Sequence, residues 1–231
     1  MKKILFVLAA LVTVSVTLNA QSFDKKKIYV GGTVGFTSTS QSNPDGTSTD
    51  GTSFKVIADL GYDFNAKNSF GVQVGVLSGL ASFGSFDTVN YSEAVKAAVG
   101  AVADMNLNDT FGFTFAPYVR HTLMSNKTFD VFVEGVLGFS SMKSSVNADD
   151  GTGTVVEQGT KATLFELIAR PGISFKISKD LKIVSRFGAA GFQSISTKAF
   201  QGNNTADGPK ITRFGLDAST ANLIFGIEYH F

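Results

Sequence analysis

The sequence predicts an all-β fold, an eight-stranded antiparallel up-and-down transmembrane β-barrel, on three observations. Apolar residues recur at every second position in eight separate stretches, the connections between those stretches alternate between short and long, and charged residues within them fall on the opposite parity. Composition points the same way: 24 Gly and 22 Phe without any Trp suit strands with a broad aromatic surface and close backbone packing. A formal charge of +1 over 231 residues leaves no nucleic-acid footprint. The lack of cysteine excludes disulfides, thiol nucleophiles and zinc-thiolate sites.

The chain opens with MKKILFVLAALVTVSVTLNA, two lysines followed by an apolar run that is short for a membrane-spanning helix and ends in small residues. This predicts a secretory signal peptide over 1–20, cleaved without a lipid-anchoring cysteine, and one barrel domain over 21–231. The first strand carries Ile28, Val30, Val34 and Phe36 on one parity; the second carries Phe54, Val56, Ala58, Leu60, Tyr62 and Phe64. Phe70, Val72, Val74 and Val76 mark the third, and Phe111, Phe113, Phe115 and Val119 the fourth. Val131, Val133, Leu137 and Phe139 mark the fifth, while Phe165, Leu167, Ala169, Ile173, Phe175 and Ile177 mark the sixth. Leu181, Ile183, Phe187 and Ala189 define the seventh, and the closing ANLIFGIEYHF supplies the eighth, with Ala221, Leu223, Phe225, Ile227, Tyr229 and Phe231 in step. Strands of about 10 to 14 residues cross a bilayer at a tilt. Pro117 and Pro171 remove ladder hydrogen bonds inside strands, so a bulge is expected at each.

Tight turns are expected around Asn65 to Asn68, Ser125 to Thr128 and Ser178 to Asp180, and long loops over Ser38 to Thr52, Leu80 to Asp109, Ser141 to Ala162 and Ser194 to Gly215. Strict alternation of short and long connections, with an even strand count, is the pattern of a bacterial outer-membrane barrel with short periplasmic turns and long extracellular loops. Aromatic girdles are expected at both rims: Tyr62, Phe64, Phe70, Phe129, Phe175, Tyr229 and Phe231 at the periplasmic one, Phe36, Phe54, Phe111, Phe139 and Phe165 at the other.

If the apolar parity faces lipid, the other parity fills the lumen, and it carries Lys55, Asp59, Arg120, Glu134, Glu166, Arg170, Arg186 and Glu228. Four are basic and four acidic. Eight strands enclose a space just wide enough for side chains, so these charges must pair. A turn centred near Lys127 sets Arg120 opposite Glu134 on neighbouring strands. A soluble lipocalin-type barrel would show the reverse, an apolar lumen and a polar exterior.

The signal peptide, the eight alternating strands, FAPYVRHTL followed by FDVFVEGVLGF, and the closing FGIEYHF together resemble the small outer-membrane β-barrel family related to OmpA and OmpX, often labelled porin-like. The resemblance covers nearly all of the mature chain, in patterns more than in an invariant signature. It implies an integral protein of the Gram-negative outer membrane, exported through the Sec pathway and held among outer-membrane lipid. In that family an aromatic C-terminal strand is the signal for the barrel assembly machinery; here Phe225, Ile227, Tyr229 and Phe231 match it.

Candidate sites are few. A hydrolase or acyltransferase needs a nucleophile beside a base, and the two histidines, His121 and His230, both fall near the periplasmic rim, where interface roles are expected. NPDGTSTDGT and NADDGTGT carry Asp and Asn but lack the closing Glu of a calcium loop, and read as turns. The segment YSEAVKAAVGAVAD, residues 91–104, has helical spacing in the second long loop. No catalytic residue, metal or cofactor is expected. The function expected is envelope structure, or surface interaction and adhesion with an extracellular partner through the long loops. Narrow-channel transport of small solutes and lipid modification are the alternatives.

Overall fold

The computed structural model describes residues 27–42, 48–78, 110–149, 153, 155–217 and 224–231. The expected signal peptide, the 91–104 segment and the connection from Leu80 to Asp109 lie outside the described residues. Among the described residues ten strands follow in order: β1 (Ile28–Ser42), β2 (Ser48–Asp63), β3 (Asn68–Ser78), β4 (Thr110–Ser125), β5 (Phe129–Asp149), β6 (Val155–Lys176), β7 (Leu181–Arg186), β8 (Ala189–Gln201), β9 (Asn204–Asp217) and β10 (Ile224–His230). Each pairs antiparallel with its neighbour from β1 to β7; β10 pairs with β7 on one side and with β1 on the other, from Tyr29↔His230 to Thr33↔Gly226. The sheet thereby closes into an eight-stranded antiparallel barrel, β7 with β8 forming its seventh wall and β9 with β10 its eighth.

Three turns hold one end, which we term the turn end, and each is built by a side-chain acceptor at its first corner. Asn65 Oδ1 accepts from the amides of Lys67 and Asn68, Asn126 Oδ1 from those of Thr128 and Phe129, and Ser178 Oγ from those of Asp180 and Leu181. At the other end the strands run much further than alternation alone predicts. β1 and β2 pair out to Ser42↔Ser48, β5 and β6 to Asp149↔Val155, and β8 and β9 to Gln201↔Asn204. The Ser, Thr and Gly-rich stretches expected as loops over Ser38 to Thr52, Ser141 to Ala162 and Ser194 to Gly215 are therefore largely hairpins. Threonine and serine satisfy a ladder as well as they do a loop, and the 21 residues of β5 reach about 70 Å at ~3.3 Å each.

The expected bulges fall elsewhere. Across Pro117 the register between β4 and β5 is unchanged, and the shift comes between Thr122 and Met124. Pro171 pairs in register with Val133, but its face without an N–H points at the seventh wall. There the ladder breaks: the Phe187 amide donates to the Pro171 carbonyl, Gly188 turns at φ 64°, and the seventh wall gains one residue on β6 between the pairing of β7 and that of β8. One consequence corrects the sequence reading, since parity flips and Ala189, expected outside, lies buried in the interior.

The interior forms tiers. Toward the hairpin end Leu77, Val136, Met142, Leu164, Ile168 and Ile195 are buried together, interleaved with buried Ser140, Glu166, Gln193 and Thr197, so apolar side chains share a lumen in which the sequence parity marks only the charged ones. Below lies a charged tier, and below that an open vestibule at the turn end.

Candidate functional site

Alternation brings one inward residue from each wall to the same level, and at mid-barrel those residues are ionic. Glu134 of β5, wholly buried, sits between three guanidinium groups. Arg120 Nη2 donates to its Oε1 at 2.9 Å, Arg170 Nη2 to its Oε2 at 2.7 Å, and Arg186 Nε to its Oε2 at 3.0 Å. Glu228 of β10 accepts from Arg120 Nη2 at 2.6 Å and from Arg186 Nη2 at 3.2 Å. Asp59 of β2 accepts from Arg186 Nη2 at 2.8 Å, from the Tyr118 hydroxyl and from Gln73 Nε2, and Gln73 Oε1 accepts from Arg170. Three arginines meet three carboxylates, so the tier is neutral. Burying so many ions costs several kcal/mol each unless all are paired, and the geometry supplies those partners from walls far apart in sequence.

Aromatic rings and glycines make room for the ions. The Arg120 guanidinium lies over the rings of Tyr29, Tyr118 and Phe132, at 5.4, 5.7 and 4.4 Å from their centroids. Each ring leans on a glycine of a neighbouring wall, Tyr29 on Gly61, Tyr118 on Gly71 and Phe132 on Gly172, where a β-carbon would collide with it. The Tyr29 and Tyr118 hydroxyls share a hydrogen bond of 2.7 Å.

Of the eight charged residues singled out in the sequence, Asp59, Arg120, Glu134, Arg170, Arg186 and Glu228 lie in this one network. Glu166 stands a step toward the hairpin end and accepts from Gln193 Nε2 at 2.7 Å. Lys55 lines a cavity of about 40 Å³ with Glu166 and Arg170. Lys55 and Asp59 share a strand face without pairing to each other. Tyr29, Tyr118, Gln73 and Gln193 carry no charge and so do not stand out in the sequence; their parity is the signal available there. His121 Nδ1 is 2.7 Å from Asn68 Oδ1 on the exposed turn end, whereas His230 stacks on Tyr29 with its Nδ1 3.3 Å from Asp63. The structure does not bring the two histidines into one site. Among the described residues no group of three or more His, Asp or Glu is placed to hold a metal.

The exterior is the complement. Phe113, Val119, Leu167, Phe225 and Ile227 are all more than half exposed, on the face opposite the ions. Phe64, Phe70, Phe175, Tyr229 and Phe231 project at the turn end, and Phe111, Phe139 and Phe165 toward the hairpins; Tyr62, Phe129 and Phe54 are half-buried. The Phe36 side chain lies outside the described residues.

Fold and interior define a class: an eight-stranded up-and-down barrel with ions inside and an apolar exterior. The chain is similar to the crystal structure of Neisserial surface protein A (NspA), at 10% identity and a TM-score of 0.44, over 88% of this chain and 97% of that one. It is also similar to the outer membrane protease OmpT from Escherichia coli, at 10% identity and a TM-score of 0.40, over 92% of this chain and 99% of that one. No protein-family model and no curated protein sequence matches it.

Proposed function

We propose that this chain is an integral protein of the Gram-negative outer membrane, a rigid barrel that serves envelope structure and carries hairpins for surface interaction or adhesion. The observation behind the reading is the inverted pattern of the wall. A band of half-exposed Phe, Leu, Val and Ile surrounds a buried set of arginines and carboxylates, which suits hydrocarbon outside and is unfavourable in water. In this reading the turn end faces the periplasm and the β1–β2, β5–β6 and β8–β9 hairpins stand outside the cell, where a partner would meet them. Export through Sec and insertion by the barrel assembly machinery follow, the latter reading the exposed face of Phe225, Ile227, Tyr229 and Phe231. In this reading the barrel needs no catalytic group, and its two histidines serve as an exposed turn contact and a ring stacked at the rim.

An epitope tag inserted at Gly202–Asn203, the β8–β9 turn, tests the orientation against the same tag at Asn126–Lys127. Antibody should label intact cells for the first and only permeabilised cells for the second. The opposite result inverts the proposed topology, and steady single-channel conductance would replace the surface role by transport.

A further inference from the structure

The vestibule at the turn end is a cavity of about 360 Å³ beneath the neutral tier, with Arg120 and Phe132 among its lining. Its volume lies in the range of small-molecule sites, and unlike the tier above it is electrically unbalanced. Lys27, Lys67, Lys176 and Lys182 line it against Asp63 and Asp130, an excess of two positive charges. Asp130 is already shared, 2.7 Å from Lys176 Nζ and 3.3 Å from Lys182 Nζ, and it accepts from the hydroxyls of Ser125 and Ser174 as well. Asp63 is held by His230. Arg120 is committed to Glu134 and Glu228. Among the described residues, Lys27 and Lys67 have no carboxylate within ion-pair distance. On the eighth wall His230 also lines the vestibule, its Nε2 buried without a hydrogen-bond partner and 3.9 Å from Glu228 Oε2.

We infer that the vestibule binds a small organic dianion, a phosphate monoester or a dicarboxylate. Two uncompensated lysines on one side and the Lys176–Asp130–Lys182 cluster on the other suit the two separated carboxylates of a dicarboxylate, and the Lys27 and Lys67 pair alone suits the doubly charged phosphate of a monoester, lysine being a common point-charge partner for both chemistries. The Phe132 ring offers an apolar surface to the carbon skeleton of either ligand. The cavity faces away from the hairpins, so this binding is separate from any surface role and from its test.

The test uses the barrel refolded in a zwitterionic detergent, titrated calorimetrically at fixed ionic strength with succinate, glycerol phosphate and, as a monoanion, acetate. Succinate or glycerol phosphate should bind saturably and at least tenfold tighter than acetate. The double variant Lys27→Gln/Lys67→Gln should weaken that binding at least tenfold. Lys179→Gln, on the rim outside the vestibule, should leave it within twofold. All variants are first checked for the heat-modifiable gel mobility of the folded barrel. Dianions that bind no better than acetate, or an equal loss in Lys179→Gln, overturn the proposal; the first shows no dianion site and the second only surface charge.

Discussion

Replacing Glu134 with glutamine removes the one charge on which three arginines converge. The wild-type tier holds three guanidinium groups and three carboxylates; the variant holds three against two, with one positive charge uncompensated at a point without exposure to solvent. The glutamine amide also turns N–H groups toward donors that had an acceptor. Breaking a buried ion pair by removing one partner costs about 3–5 kcal/mol, and Glu134 serves three such pairs, so about 4 kcal/mol is expected, a factor of roughly 1,000 in the folding equilibrium. Glu157→Gln is the control, since Lys143 and Glu157 pair at 2.7 Å with both side chains about half exposed, where solvent screening leaves an ion pair little effect on stability. The assay is urea unfolding of the barrel refolded in lipid vesicles, read as the fraction of heat-modifiable, fast-migrating protein. A Glu134→Gln midpoint equal to that of Glu157→Gln would refute the claim that this carboxylate organises the interior.

Three further predictions follow from other parts of the barrel. Gly71→Ala places a β-carbon 2.6 Å from the Leu60 carbonyl oxygen and from Tyr118 Cζ, and overpacking of this kind costs about 1–3 kcal/mol; Gly215→Ala, with nothing within 4 Å, should be neutral in the same unfolding assay. Asn126→Ala strips two backbone amides of their acceptor and should cost about 1 kcal/mol because water replaces the lost bonds at this exposed turn. Hydrogen bonds from Lys143 and Ser145 hold the Glu157 carboxyl below the usual carboxylate range. A depressed folded-state value means that the tie is present above the ordinary carboxylate pKa and is lost as pH falls through the lowered one. Hydrogen exchange in the β5–β6 hairpin, corrected for its intrinsic pH dependence, should therefore quicken at the acid end, and Glu157→Gln should abolish that change.

How much of this was legible in the sequence depends on the wall. In β2 to β6 the alternation is clean, and a short turn between β4 and β5 is enough to place Arg120 beside Glu134. Parity misleads at the seventh wall because Phe187–Gly188 inserts a residue opposite Pro171; the proline is visible in the sequence, but not that the neighbouring strand absorbs the irregularity. The hairpins beyond the wall read as loops in the sequence because Ser, Thr and Gly carry no hydrophobic period, while backbone pairing needs none. Residues such as Leu164 and Ile168 share their strand with outward Phe165 and Leu167, so both faces are apolar there and periodicity could not reveal an apolar inner tier. The nesting of Tyr29, Tyr118 and Phe132 on glycines joins positions on different strands, which only the closed register brings together.

In a barrel that spans the bilayer as proposed, the apolar face of each strand meets hydrocarbon and the charged face meets the interior. Because the chain has no native cysteine, single cysteines along β4 can each carry a fluorophore in the refolded barrel, in vesicles containing lipid-borne quenchers. Quenching should be strong at positions 111, 113, 115 and 119 and weak at 114, 116 and 118, a period of two along the strand. Uniform quenching, or strong quenching at the second set with none at the first, would contradict the account.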